Sequence, residues 1–184
     1  MNPQALQAAI TTSRGVLVNV TPDQLTSATP CKSWDVSGLI NHMVGALDFF
    51  TAGLNGTPPS AGDDYASGDY LAAFDKASAT CLAGFSADGA MEKMYTLPFG
   101  TMPGSAFVGL ACTDTFTHAW DLAKSTGQST DLAPELAAGL LMGAKMAIAP
   151  AMRGDEPMPF GPEQTAPDGA SNADQLAAFL GRTV

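Results

Sequence analysis

Apolar residues recur at steps of three and four along most of this chain, a pattern that predicts amphipathic helices. Segments rich in proline and glycine separate the periodic stretches and mark the connections. Because every apolar stripe needs a partner stripe, we expect an all-α fold: an antiparallel helical bundle with irregular connections, forming one domain over residues 1–184. The helices are expected near residues 2–20, 35–54, 69–85, 105–125, 134–148 and 173–180.

One stretch departs from the helical pattern. Residues 94–97 (Met-Tyr-Thr-Leu) have strand-forming side chains, and residues 98–104 are dense in proline and glycine. A short hairpin is therefore expected near residues 92–102. In the helix that begins at Pro134, Met142 and Met146 stand four residues apart, and we expect both in the core.

Composition narrows the classes of partner. The chain has 184 residues and a net charge of −10, with only 14% charged residues. Nucleic acids and anionic membranes need clustered basic residues, so neither is an expected partner. We see no signal peptide and no apolar run of about 20 residues that could span a membrane. Three cysteines without metal-site spacing favour a reduced, cytoplasmic setting. The sparse surface charge would permit a homodimer.

The two histidines of the chain, His42 and His118, both lie on expected inward helix faces. Asp114 precedes His118 by four residues, which places the two side chains one above the other on the helix. A buried titratable group is costly unless it is paired or binds a ligand. With His42 from a neighbouring helix, the three residues could bind a divalent metal and leave one coordination position open. Zinc is the first expectation and nickel the second, while iron(II) also accepts such ligands.

The spacing alone favours a simpler interpretation, in which His118 and Asp114 form a buried pair without metal. Asp121, one turn beyond His118, is a competing fourth ligand, although its expected role is to orient His118. Cys31 is expected as a packing residue rather than a reactive thiol. Arg153 is expected in solvent rather than bound to a carboxylate. The tryptophans Trp34 and Trp120 are expected to anchor the core rather than line a pocket.

Two segments resemble those of a known family. Residues 29–45 fit the pattern TPC-x-x-W-x-V-x-x-L-x-x-H-x-x-G, and residues 114–123 fit D-x-x-x-H-x-W-D-L-A. Both resemble mycothiol-dependent maleylpyruvate isomerase-like proteins, and residues 176–182 also fit. The resemblance implies a DinB-like four-helix bundle whose divalent metal is held by His42, Asp114 and His118. The isomerase has Glu at the position of Asp114.

The resemblance also implies an activity. The expected protein is a metal-dependent enzyme of thiol transfer or isomerisation, which uses a small thiol such as mycothiol as cosubstrate and acts on an electrophilic substrate. A second hypothesis is a non-catalytic bundle that binds a metal or another ligand. A third is a structural helical dimer in which Asp114 and His118 form only an ion pair. The substrate does not follow from the residues.

Overall fold

The computed structural model of the protein describes residues 1–154, 158 and 160–184. The six expected helices are present in this part of the chain, with boundaries that differ from the prediction by only a few residues. They are α1 (Pro3–Leu17), α2 (Val36–Asn55), α3 (Tyr70–Phe85), α4 (Gly104–Ser125), α5 (Pro134–Ala147) and α6 (Asn172–Phe179). Short 3-10 helices at Pro22–Gln24, Tyr65–Ser67 and Pro150–Met152 interrupt the connections.

The first four helices form the expected bundle. Helix α1 packs against α3 and α4, and α2 packs against the same two helices from the other side. Large side chains fill the space between them, including Phe74, Phe85 and Phe107, all of which are almost fully buried. Helices α5 and α6 pack against each other and against α4. Helix α4 is therefore covered on several sides, which explains why most of its second half is buried.

The predicted hairpin is also present. Strand β1 (Met94–Leu97) pairs antiparallel with β2 (Gly100–Pro103), with Leu97 opposite Gly100 at the turn. Gly100 has a φ of 142°, a conformation that a residue with a side chain rarely adopts. Tyr95 and Leu97 point into the protein, and the Tyr95 ring lies 5.6 Å from that of Phe107. The hairpin thus covers one end of the bundle core.

Side-chain caps fix where the helices begin. The Asp35 carboxylate accepts a hydrogen bond from the Gly38 N–H at 2.8 Å and starts α2. Asp69 does the same for α3 through the Ala72 N–H at 2.9 Å. These carboxylates satisfy N–H groups that have no partner within the helix. The start of α2 fixes the rotation of the helix, and with it the direction of the His42 side chain seven residues later.

The expected burial of Met142 and Met146 is wrong. Their exposed fractions are 65% and 80%. The buried stripe of α5 instead contains Ala137, Leu140, Leu141 and Ala144. Met142 is two residues from Leu140, which corresponds to about 200° around the helix, so it faces away from the bundle. None of the helices in the described part of the chain combines the length and apolar character needed to cross a membrane.

Candidate metal centre

Helices α2 and α4 bring the three predicted ligand residues together. Asp114 Oδ1 lies 3.6 Å from His42 Nε2 and 3.7 Å from His118 Nε2. One potential ligand atom from each residue lies within 4.8 Å of those of the other two. These separations are too long for hydrogen bonds. Two ligands of one tetrahedral zinc ion, each about 2.0–2.1 Å from the metal, are about 3.3 Å apart, so small side-chain movements would suffice.

Asp121 orients the His118 ring. The His118 Nδ1–H donates to Asp121 Oδ2 at 3.0 Å, which leaves Nε2 directed towards Asp114. A carboxylate can only accept hydrogen bonds, so this contact places a proton on Nδ1. Carboxylates bound to the second nitrogen of a histidine are a common support of metal sites. Asp121 thus has the geometry expected for an orienting residue and does not point at the same ring nitrogen as Asp114.

Neighbouring charges shift the pKa values of His118, Asp121 and Asp114. Burial works against the charged form of His118, but the hydrogen bond to Asp121 and the nearby carboxylates outweigh it and raise the pKa to about 10. Burial also opposes ionisation of Asp121, yet His118 and Arg182 lower the pKa of this carboxyl to about 2. The pKa of Asp114 is lowered as well, since the neighbouring imidazoles outweigh its burial. Both carboxylates are therefore available as anions near neutral pH.

The loop before α2 forms one wall of the site. The Thr29 hydroxyl accepts from the Cys31 N–H at 3.1 Å and donates to the Trp34 carbonyl at 2.7 Å, which closes a tight turn. This turn places the Trp34 ring on His42, with ring centroids 4.4 Å apart and an angle of 24° between the planes. Trp34 packs against the core as expected, but it is only partly buried and also lines the site, which we did not expect. It also limits the rotation of His42.

Cys31 and Asp121 form a second cluster with His118. Ligand atoms of these three residues also lie within 4.8 Å of one another. However, Arg182 Nη2 is 3.0 Å from Asp121 Oδ2 and 4.0 Å from the Cys31 sulfur. The guanidinium group already supplies the positive charge that a cation would bring here. Of the two clusters, the one formed by His42, Asp114 and His118 is thus the better candidate for a metal.

A buried nitrogen supports the same assignment. His42 Nε2 is inaccessible to solvent and has no hydrogen-bond partner among the described residues. An unsatisfied buried polar atom costs free energy, and such atoms are uncommon in folded proteins. It lies on the side of the ring that faces Asp114. A ligand bound between these side chains would satisfy it.

The cluster opens into a cavity of about 790 Å³. His42, Asp114 and His118 lie on its wall together with Trp34, and the chain from Leu180 to Thr183 closes another side. Asp114 is the one carboxylate residue among the described lining residues, whereas three basic side chains line the cavity: Lys32, Lys124 and Arg182. A cavity of this size can hold a small organic molecule beside the cluster.

Two other residues discussed in the sequence analysis, Trp120 and Arg153, make contacts that hold the fold together. Trp120 is buried as expected, and its Nε1–H donates to Asp174 at 2.8 Å. Arg153 is partly buried, and none of the carboxylates in the described part of the chain contacts it. Its Nη1 donates to the backbone carbonyls of Gly161 and Phe179, and its guanidinium group lies over the Phe179 ring. Arg182 was not among the predicted site residues. The one signal in the sequence that could have indicated such a residue is Asp121 itself, because an Asp on an inward helix face needs a cationic partner.

Comparisons with known proteins place these observations in a family. The model of the mycothiol maleylpyruvate isomerase N-terminal domain family matches residues 6–123. The chain belongs to this family. Uncharacterized proteins from two strains of Mycobacterium tuberculosis, CDC 1551 / Oshkosh and H37Rv, are each 43% identical to it over 187 residues, which cover the whole of both chains. The match includes His42, Asp114, His118 and Asp121 within its limits, whereas Arg182 lies beyond them.

A solved structure shows the same fold. The crystal structure of the mycothiol-dependent maleylpyruvate isomerase aligns with a TM-score of 0.55 and 16% sequence identity, over 88% of this chain and 80% of that chain. At this identity the likeness concerns the fold. It confirms the expected DinB-like helical bundle and, with the family match, the resemblance read from residues 29–45 and 114–123.

Proposed function

We propose that the protein binds a divalent metal ion, zinc in the first place, through His42, Asp114 and His118 and catalyses a thiol-dependent transfer or isomerisation. The observation that carries this proposal is the buried Nε2 of His42, which has no hydrogen-bond partner among the described residues. It lies 3.6 Å from Asp114 Oδ1, and the same oxygen lies 3.7 Å from His118 Nε2. Membership of a family named for a mycothiol-dependent isomerase supports mycothiol, or a similar small thiol, as cosubstrate.

The ligand set suits such chemistry. Two imidazoles and one carboxylate leave a fourth position free, as in catalytic rather than structural zinc sites. A bound divalent cation lowers the pKa of a coordinated thiol and so supplies a thiolate at neutral pH. Neighbouring side chains orient the two histidine ligands. Asp121 keeps the proton of His118 on Nδ1, and Trp34 restrains the His42 ring.

The cavity provides room for the second reactant. Its basic residues, including the exposed Lys32 and Lys124, favour an electrophile that carries negative charge or polarised carbonyl groups. The chain as a whole has eighteen acidic and eight basic residues, whereas basic side chains outnumber acidic ones among the described residues that line this cavity. Non-reacting parts of the thiol and the electrophile would both lie within the 790 Å³ space.

Turnover with an electrophilic test compound examines the proposed activity. Protein purified without a histidine tag and loaded with zinc should accelerate the reaction of mycothiol with 1-chloro-2,4-dinitrobenzene, followed by absorbance of the conjugate. The rate enhancement should disappear after chelation and return with zinc. An enhancement that persists in chelated protein would contradict the metal-dependent reaction. Zinc binding without turnover of any thiol–electrophile pair would favour the non-catalytic binding protein.

Metal binding should also release a proton. Since the pKa of His118 is about 10 without metal, its Nε2 is protonated at neutral pH and must lose that proton to act as a ligand. The apparent zinc affinity should therefore rise about tenfold per pH unit between roughly pH 7 and 9. Calorimetry in buffers of different ionisation enthalpy should count about one released proton at pH 7.5. Asp121→Asn, which removes the charge that raises this pKa, should release fewer, and equal release by both proteins would contradict the assignment.

A further inference from the structure

The end of the chain returns to the candidate metal centre. After α6, Gly181 adopts a φ of 97° and packs against Gly161, where a Cβ would come within 2.8 Å of the Gly161 Cα. This turn directs Arg182 towards α4. The Arg182 N–H donates to the Ala177 carbonyl at 2.9 Å, and its Nη1 donates to the Leu180 carbonyl at 3.2 Å. The guanidinium group is thus held in place by its own segment.

Arg182 donates hydrogen bonds to both carboxylate oxygens of Asp121. Its Nε lies 3.2 Å from Asp121 Oδ1, and its Nη2 lies 3.0 Å from Oδ2. Asp121 Oδ2 also accepts the hydrogen bond from His118 Nδ1. A paired, planar contact of this kind fixes the plane of a carboxylate as well as its charge. The orientation of Asp121, and through it that of His118, is therefore set by a residue near the end of the chain.

A second arginine–aspartate pair has the same geometry but a different environment. Arg14 also contacts both carboxylate oxygens of an aspartate, Asp75, at 2.7 and 2.9 Å. That pair is on the surface, with side-chain exposures of 48% and 43%, and contacts no other ionised group in the described structure. The Asp121 side chain, in contrast, is fully buried, and its partner Arg182 is 17% exposed. Two arginine–aspartate pairs among the described residues thus share this geometry, one at the surface and one behind a candidate metal ligand.

We propose that Arg182 is a positioning residue of the metal site, which acts on His118 through Asp121. This inference rests on the proposed function, since it supposes that His118 binds the metal. It assigns a role at the site to a segment outside the part of the chain that matches the family. The segment 180–183 then completes the metal site as well as closing the cavity.

A double-mutant cycle tests this proposal. Zinc dissociation constants would be measured by competition with a chromophoric chelator for the wild type, Arg182→Met, Asp121→Asn and the double variant. Loss of a hydrogen-bond partner behind a metal-bound histidine weakens metal binding by about 10–100-fold. We expect each single variant to bind zinc at least tenfold more weakly than the wild type. The double variant should bind zinc no more weakly than the more strongly affected single variant, because both changes break the same series of contacts. Arg14→Met serves as the matched control and should bind zinc as the wild type does.

The visible spectrum of bound Co²⁺ adds a readout that a purely structural role would not change. It should shift in Arg182→Met and remain the same in Arg14→Met. If Arg182→Met does not fold, Arg182→Lys keeps a positive charge but not the two-point contact, and it should still bind zinc more weakly. Unchanged affinity and spectrum in a folded Arg182 variant, or fully additive losses, would overturn the positioning role alone. A wild type that binds no zinc would overturn the proposed metal site and this role with it.

Discussion

Replacing His118 by alanine should lower the affinity for Zn²⁺ by more than about 100-fold, because even the hydrogen-bond partners of metal ligands contribute about 10–100-fold. The same loss is expected for His42→Ala, although the two residues lie on different helices, α4 and α2. Equal effects from separate helices would show that both rings contact one ion. The measurement is competition with a chelator of known zinc affinity, on protein without a histidine tag.

The controls separate metal binding from folding. Circular dichroism of each metal-free variant should show the helix content of the wild type. Asp75→Ala, which removes a surface carboxylate far along the sequence from the ligands, should bind zinc as the wild type does. If only His118→Ala lost affinity while His42→Ala kept it, the shared site would be refuted. Such a result would point instead to the cluster of Cys31, His118 and Asp121.

The second large effect concerns stability. Asp121→Ala should lower the free energy of unfolding by about 3–5 kcal/mol, because it leaves the largely buried Arg182 and the His118 Nδ1–H without their acceptor. For a chain of this length the midpoint of thermal unfolding should fall by roughly 6–20 °C. Chelator-treated protein should be used, so that lost metal binding does not add to the measured change.

The surface pair of Arg14 and Asp75 provides the control for this stability measurement. Asp75→Ala removes an aspartate with the same two-point contact to an arginine, but at the surface, and should change stability little. Asp121→Asn keeps one acceptor for His118 and should be less destabilising than Asp121→Ala. Equal stability of Asp121→Ala and Asp75→Ala would show that Asp121 does not hold this part of the fold together.

The stabilising effect of Asp121 should depend on pH. The pKa of Asp121 in the folded protein, about 2, is lower than the usual value of 3.8, so its ionised form stabilises the fold above about pH 4. This contribution is lost as the pH falls from 4 towards 2. The opposite holds for His118, whose raised pKa stabilises the metal-free fold below about pH 6.5 and does so progressively less up to pH 10.

The periodicity of apolar residues predicted the helices well because each stripe is local and each connection carries strong turn residues. The hairpin was predictable for the same reason: strand-forming residues flank a proline and a glycine at 98 and 100. The failure at Met142 and Met146 is also instructive. Helical spacing tells which residues share a face, but the packing of α5 against α4 and α6 decides which face is buried.

The site was only partly predictable. The spacing of Asp114, His118 and Asp121 follows from one helix. The approach of His42 to them was a hypothesis from its inward helix face, which the resemblance also implied, and the distances in the bundle agree with it. The contact between Asp121 and Arg182 joins residues 61 positions apart and depends on a turn at Gly181. No periodic pattern encodes such a long-range contact. The stacking of Trp34 on His42 likewise depends on how the Thr29 turn folds back on α2.

Anomalous diffraction tests the central claim most directly. Crystals of tag-free protein grown with equimolar zinc would be measured on both sides of the zinc absorption edge. The account predicts one strong anomalous peak about 2.0–2.2 Å from His42 Nε2, His118 Nε2 and an Asp114 oxygen. A peak beside Cys31 and Asp121 instead, or no peak between the two imidazoles in zinc-saturated crystals, would contradict it.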